Sequence, residues 1–313
     1  MEQRQVGRTG LKVSSLGLGT MTWGRDTEDH DAAEQLEVFL DAGGTLIDTA
    51  ASYGDGASEA LLGRLLGAAA HRRDVVIVSK GGAHGATRGE LLDDLDASLE
   101  RLGTDHLDLW LVARPDRHTP MEETAGALEF ALSSGRTRYV GLSNYPAWGA
   151  AHLSTLLSAL PPGLAAVEME YSLLQRGIER DLLPAAHELG FGVLAWSPLG
   201  RGILTGKYRS TVPASSRAAS AHLRGFVEPY LGDASRAVVE AVATAASGLE
   251  RSAAEVALAW ARDAPGISSA IVGARSAAQL RGTLGAVDLE LPAPIRAVLD
   301  EVTDLEVGYP ERF

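Results

Sequence analysis

The chain has 313 residues, 45% of them hydrophobic, which suits one large α/β domain and leaves ample apolar material for a buried core. It contains no cysteine, which excludes disulfides, iron–sulfur clusters, thiolate zinc sites and a thiol nucleophile. Its formal charge of −13 comes without a long basic run, which argues against nucleic acid as a partner.

The N-terminal stretch MEQRQVGRTGLKV lacks the apolar core of a signal peptide, and no run of about 18 apolar residues suggests a membrane span. A cytoplasmic protein with no membrane partner is the expectation. Residues 4–13, with Gly7, Thr9 and Gly10 between short polar and apolar pieces, predict a β-hairpin. After it, short apolar runs alternate with amphipathic segments. LGLGT at 16–20 precedes a helix over 28–42, LIDTA at 46–50 a helix over 58–70, VVIVSK at 75–80 a helix over 87–102, and LDLWLVA at 107–113 a helix over 121–134. The second half continues with YVGLSN at 139–144, a helix over 147–160, AAVEMEY at 165–171, a helix over 179–189, and GVLAWSP at 192–198. Two helices follow within 233–247 and 252–263, then SAIVGA at 269–274 and closing helices over 277–284 and 294–302.

Strands that read as near-continuous apolar runs are buried on both faces, and βα alternation implies parallel pairing. Eight such units predict a (β/α)8 TIM barrel, a single domain over 1–313 with an N-terminal hairpin and extra C-terminal helices. An open doubly wound sheet is the competing topology, but LGLGTMTWG lacks the glycine spacing that usually follows its first strand. The interval 199–232, rich in Ser, Gly, Ala and Arg, predicts an extended loop, either a functional lid or disordered.

In a parallel barrel the active site lies where the strands end. Asp48 ends the second strand, Tyr53 follows in its loop and Lys80 ends the third, so the three converge on one rim. A lysine beside a phenol stabilises the phenolate, and an aspartate holds the lysine charged. The trio therefore predicts a proton donor tuned downward from about 10, the ordinary tyrosine value.

The motifs that run through the chain are GGTLIDTAASYGDGASEALLG at 43–63, SKGG at 79–82, LDLWLVARPD at 107–116, VGLSNY at 140–145, EMEYSLLQR at 168–176, WSPLGRGILTGKY at 196–208 and SAIVGARSAAQL at 269–280. With them the chain resembles an aldo-keto reductase over nearly its whole length. The resemblance implies a nicotinamide cofactor, NADPH rather than NADH, and hydride transfer to a small-molecule carbonyl substrate with Tyr53 as proton donor supported by Lys80 and Asp48. It places Ser143, Asn144 and Glu168 at the nicotinamide carboxamide and Trp196 against the ring. Ser197, Leu199, Gly200 and Gly202 fall in the loop along the pyrophosphate, where small residues permit close approach. Gly273 is a further cofactor-binding position, and Arg275, Ser276, Gln279 and Thr283 belong to the adenosine end; an arginine and a hydroxyl ahead of a helix suit a 2′-phosphate. Trp23 and Trp110, with Ala113 and the loop beyond Leu199, are expected to line the substrate pocket.

Three positions depart from the family pattern: Thr283 stands where asparagine is usual near the adenine and keeps one hydrogen bond at most, and two departures matter more. Ala113 stands where the family carries an active-site histidine that orients the substrate carbonyl, so carbonyl reduction should be slowed or the substrate must orient itself. Glu168 stands where glutamine is common; its carboxylate accepts but does not donate unless protonated, and its charge favours the oxidised, cationic ring. His84 and His118 lie in loops on the same rim; they read as solvated loop residues, with compensation at the site as the alternative. No metal site is expected, since no close His/Cys cluster occurs. Two further readings stay open: an NADP(H)-binding sensor or subunit with little catalysis, and a reductase of an imine or activated C=C bond. Oligomeric state is not legible.

Overall fold

The computed structural model describes residues 1–67, 71–159, 162–209, 211–213, 216–306 and 308–309. Two short antiparallel strands, β1 (Gln3–Gln5) and β2 (Lys12–Ser14), pair from Gln3 opposite Ser14 to Gln5 opposite Lys12. This is the hairpin expected over 4–13. Gly7 in its turn adopts φ 55, and a Cβ there would meet the backbone oxygen of Gly190 at 2.4 Å, so only glycine lets the hairpin approach the barrel floor.

The barrel strands are β3 (Leu16–Gly19), β4 (Leu46–Asp48), β5 (Val76–Gly81), β6 (Leu107–Val112), β7 (Thr137–Ser143), β8 (Leu164–Glu170), β9 (Gly192–Trp196) and β10 (Ile267–Val272). Each pairs in parallel with its neighbours, and β10 pairs with both β9 and β3, closing an eight-stranded barrel. The fold is thus a (β/α)8 barrel, and the open doubly wound sheet is excluded by that closure.

Around it run α1 (Asp29–Asp41), α2 (Ala57–Leu65), α3 (Arg88–Leu102), α4 (Met121–Ser133), α5 (Ala147–Leu156) and α6 (Leu182–Leu189). They are followed by α7 (Arg224–Val227), α8 (Asp233–Gly248), α9 (Ala253–Arg262), α10 (Ala277–Leu284) and α11 (Ala293–Val302). The ends of the helices expected over 58–70 and 147–160 reach residues 68–70 and 160, outside the described residues. The starts of α3 and α9 are fixed by reciprocal capping boxes, Thr87 with Glu90 and Ser252 with Glu255, each worth about 1 kcal/mol. Gly103, left-handed at φ 62, ends α3.

Side chains alternate sides along a strand, and the two sides here form two separate cores. Leu46, Val78, Leu109, Leu111, Ala166, Leu194 and Ile271 fill the barrel together with Val6, Leu11 and Val13 of the hairpin, which plugs its N-terminal mouth. Ile47, Ile77, Trp110, Val112, Val167 and Val193 belong to the second cluster, between the barrel and its helices. Continuing the inward series by two residues reaches Asp48, Lys80, Ala113, Glu168, Trp196 and Gly273. The alternation that fills the barrel therefore also brings these six positions to its C-terminal mouth.

The interval 199–232 is not the extended loop expected. It holds 3-10 turns at Gly200–Thr205, Arg217–Ala219 and Glu228–Tyr230 as well as α7. Its anchors are tertiary, made by buried Ile203, Leu204 and Val227, so no helical period marks them in the sequence.

Candidate active site

The site begins where β4 and β5 end. Asp48 and Lys80 are the last inward residues of these paired strands, and Tyr53 sits in the turn after β4, its backbone N–H bonded to the oxygen of Ala50. Gly54 and Gly56, both left-handed, turn the chain from Tyr53 into α2. The Lys80 ammonium donates to Asp48 and lies 5.2 Å from the centre of the Tyr53 ring. A second carboxylate reaches it from across the barrel, with Glu168 Oε2 at 3.1 Å.

Burial makes this cluster costly and therefore specific. Asp48, Lys80 and Glu168 are 2%, 6% and 2% exposed, and removing such charges from water costs several kcal/mol each unless they are paired. Burial opposes the charge on Lys80, yet Asp48, Glu168 and Tyr53 outweigh it and hold the amine above its ordinary value. Glu168 is pushed up to about 8, by burial first and then by the nearby Asp48 carboxylate, with Lys80 pulling the other way. The Tyr53 phenol is also pushed up from its ordinary 10.0. Burial is the main cause, Lys80 lowers it, and the Asp48 and Glu168 carboxylates add to the rise. The downward tuning expected from the lysine alone is thus reversed: loss of water and two carboxylates outweigh one ammonium, and the phenol is held protonated.

The cluster lies on the wall of a cavity of about 730 Å³, within the usual range for small-molecule sites. Ser143, Asn144, Glu168, Trp196, Ser197, Leu199, Gly202 and Gly273 line it, as do Arg275, Gln279 and Thr283 beyond the end of β10. Ala113 lines it as well. Asn144, at φ 60, ties three strands together: its amide donates to the oxygen of Ala113 and to Ser143 Oγ, both at 3.0 Å, and accepts the Trp196 indole N–H at 3.1 Å. Beyond β10 the Gln279 side chain accepts the backbone N–H of Arg275 at 3.1 Å, and Thr283 donates to the Gln279 backbone oxygen at 2.8 Å.

Four expected residues lie off the cavity wall. Gly200 is buried behind it, and a Cβ there would meet Leu174 at 2.7 Å. The Ser276 hydroxyl caps α10 by accepting the N–H of Gln279. Trp23 and Trp110 are both fully buried and do not line the pocket. Trp110 faces the helices with Val112, and Trp23 donates its indole N–H to Gln35 at 3.2 Å beside α1. His84 and His118 are exposed and off the wall, so neither stands in at Ala113. Among the described residues, no cluster of three or more His, Cys, Asp or Glu is arranged to hold a metal ion.

The aromatic wall comes instead from the interval after β9. Phe226 stacks on Trp196 with centroids 6.2 Å apart, and both line the cavity with Met21. Arg201 pins this arrangement. Its guanidinium lies 4.2 Å from the Phe226 ring centre and 5.1 Å from that of Tyr230, grips the Glu170 carboxylate with Nε at 2.7 Å, and donates to the Phe226 backbone oxygen at 2.6 Å. Sequence reasoning missed Arg201, Glu170 and Phe226. The available signal was the isolated aromatics Phe226 and Tyr230 in a stretch of small residues.

A family model described as aldo/keto reductase family matches residues 15–304. The chain is similar to a protein named uncharacterized oxidoreductase YrpG of Bacillus subtilis (strain 168), 34% identical over 323 residues and 96% of each chain. It is also similar to two proteins named probable voltage-gated potassium channel subunit beta. That of Arabidopsis thaliana is 33% identical over 336 residues, covering 100% of this chain and 98% of the relative. That of Oryza sativa subsp. japonica is 32% identical over 329 residues, with the same coverage of both chains. Among the described residues no helix is long and apolar enough to cross a membrane.

Proposed function

Because the chain belongs to the aldo/keto reductase family, a family of oxidoreductases, we propose that it moves a hydride between NADP(H) and a small-molecule carbonyl, with Tyr53 as the proton donor. The observation that carries this reading is the buried Lys80 ammonium, paired with Asp48 and 5.2 Å from the Tyr53 ring, on the wall of a cavity of about 730 Å³. A phenol held protonated by its surroundings is a full proton donor at neutral pH. When it gives up that proton to a developing alkoxide, the neighbouring ammonium stabilises the phenolate left behind. Asp48 keeps the ammonium charged throughout, with Glu168 adding to this when it is ionised.

The polar groups lining the rest of the cavity support a dinucleotide as its occupant. Gly202, left-handed at φ 97, leaves the middle of the wall without a side chain, and a Cβ there would come within 3.3 Å of Lys207 Nζ. Ser143 and Asn144 suit a carboxamide, the Trp196 face suits a flat ring, and Arg275 with Gln279 and Thr283 suits an adenosine 2′-phosphate. When bound, the nicotinamide supplies the hydride. The chain's own part is to orient the acceptor, exclude water with Met21, Trp196 and Phe226, and hold the proton at Tyr53 Oη.

A single-turnover assay with bound NADPH against aldehydes, ketones, imines and conjugated alkenes tests the proposal. Oxidation of NADPH by carbonyls is the expected outcome. Oxidation only by imines or conjugated alkenes would point to the chemistry that Ala113 leaves room for. Tight NADPH binding with no oxidation by any acceptor would favour a cofactor-binding subunit, a reading supported by the full-length similarity to the two relatives named as channel subunits.

A further inference from the structure

The charges at the barrel mouth do not sum to zero. Lys80 is the single ammonium in contact with two carboxylates, Asp48 and Glu168, all three nearly sealed from water. Asp48 pairs with Lys80 along adjacent strands, which leaves Glu168 as the excess negative charge. Its strand neighbours bring no relief. On β7 the residue in register is Ser143, and on β9 it is Leu194. Glu170, two residues further along β8, is occupied with Arg201. Among the described residues, the phenol of Tyr53 is the other titratable group that acts on this cluster, and it is neutral.

A buried, unbalanced carboxylate on a cavity wall has two remedies: it takes up a proton, or the cavity receives a cation. We propose that Glu168 sets the redox bias of this site, its carboxylate selecting the cationic oxidised nicotinamide while its protonated form accommodates the neutral reduced ring, so that the choice is tied to one proton. The inference rests on the NADP(H) reading above and deepens it. Protonated, the Glu168 carboxyl hydrogen-bonds with the neighbouring Asp48 side chain and turns no charge toward the ring. Ionised, it faces a ring that carries a positive charge only when oxidised. Glu168 is pushed up to about 8, so both forms are populated near neutral pH.

Binding isotherms separate this inference from the reading beneath it. NADP+ and NADPH are each titrated calorimetrically into the native protein from about pH 6 to 9, in paired buffers of different ionisation heat, and again into Glu168→Gln. The 2′-phosphate is common to both ligands and cancels in the ratio of their dissociation constants. In the native protein, affinity for NADP+ relative to NADPH should rise at least about tenfold across this range, within the one-proton ceiling of tenfold per pH unit. Below pH 8, NADP+ should also release more protons than NADPH. In Glu168→Gln both the pH dependence and the extra proton should vanish. A flat ratio in the native protein, or an unchanged slope in the variant, overturns the inference while leaving the cofactor reading intact. Failure of either nucleotide to bind overturns both. Should the variant not fold, by circular dichroism, the native proton count alone decides.

Discussion

Asn144 donates its side-chain amide to the backbone oxygen of Ala113 at 3.0 Å, fastening the end of β7 to the end of β6. The bond uses the main chain of residue 113, so the strand end is held in place whatever side chain it carries. The methyl group of Ala113 meanwhile offers the cavity neither a donor nor bulk. Ala113→His should therefore leave the melting temperature nearly unchanged and place an imidazole at the mouth beside Tyr53. A positioned donor contributes on the order of 10²-fold or more to carbonyl chemistry, and kcat/KM for aldehyde reduction should rise by about that factor. Steady-state kinetics of both forms give the answer; no gain means that the natural substrate is oriented without this position.

Tyr53→Phe keeps the ring beside Lys80 and removes only the hydroxyl. On the proposed mechanism kcat should fall about 10²- to 10⁴-fold, the usual range for a positioned general acid, while the dissociation constant for NADPH changes little. Single-turnover NADPH oxidation measures the first and fluorescence titration the second. Equal activity in both forms would remove the phenol from the reaction.

Stability should carry the mark of Glu168. Its folded value, about 8, lies above the ordinary 4.5, so between these values the folded state binds more protons than the unfolded one. Stability then falls as pH rises through this window, the opposite of an ordinary ion-paired carboxylate. Lys80, held above its ordinary 10.5, loses its contribution only at higher pH and does not interfere. Glu168→Gln should melt a few degrees higher than the native protein near pH 8.5 and at the same temperature near pH 5. Thermal melts followed by circular dichroism across this range test the sign.

How much of this was legible beforehand follows from periodicity. Asp48 and Lys80 could be read because each ends an apolar strand run, two residues beyond the barrel-filling Leu46 and Val78; Glu168 came from the family resemblance, although it obeys the same rule beyond Ala166. Trp110 breaks that rule: three residues before Ala113, it belongs to the opposite face with Val112, and strand alternation alone removes it from the pocket. Trp23 lies in the segment between β3 and α1, where no period applies; it is buried in the outer apolar cluster, with its indole N–H taken up by Gln35 of α1. The direction of the Tyr53 shift needed burial and the reach of Glu168 across the barrel, neither of which is local in sequence. Arg201 escaped notice because its left-handed φ of 58 and its grip on Glu170 are set by tertiary contacts.

Arg201 accordingly offers the sharpest test of whether the segment after β9 is a fixed wall. Its side chain is 17% exposed and that of Glu170 13%, so the pair is largely desolvated, and Arg201→Ala leaves a carboxylate without its partner at the cavity edge. It also removes the cation held against Phe226 and Tyr230 and the bond to the Phe226 oxygen. A loss of about 2–3 kcal/mol in urea unfolding is expected, below the 3–5 of a fully buried pair because some water remains. Because Phe226 stacks on Trp196, freeing it loosens a cavity wall without touching Asp48, Tyr53 or Lys80. Limited proteolysis should cut faster within 199–232, and KM for an aromatic aldehyde should rise more than kcat falls. An unchanged cleavage rate with a normal KM would mean that the segment is held by Ile203, Leu204 and Val227 alone, and that Arg201 serves only its own ion pair.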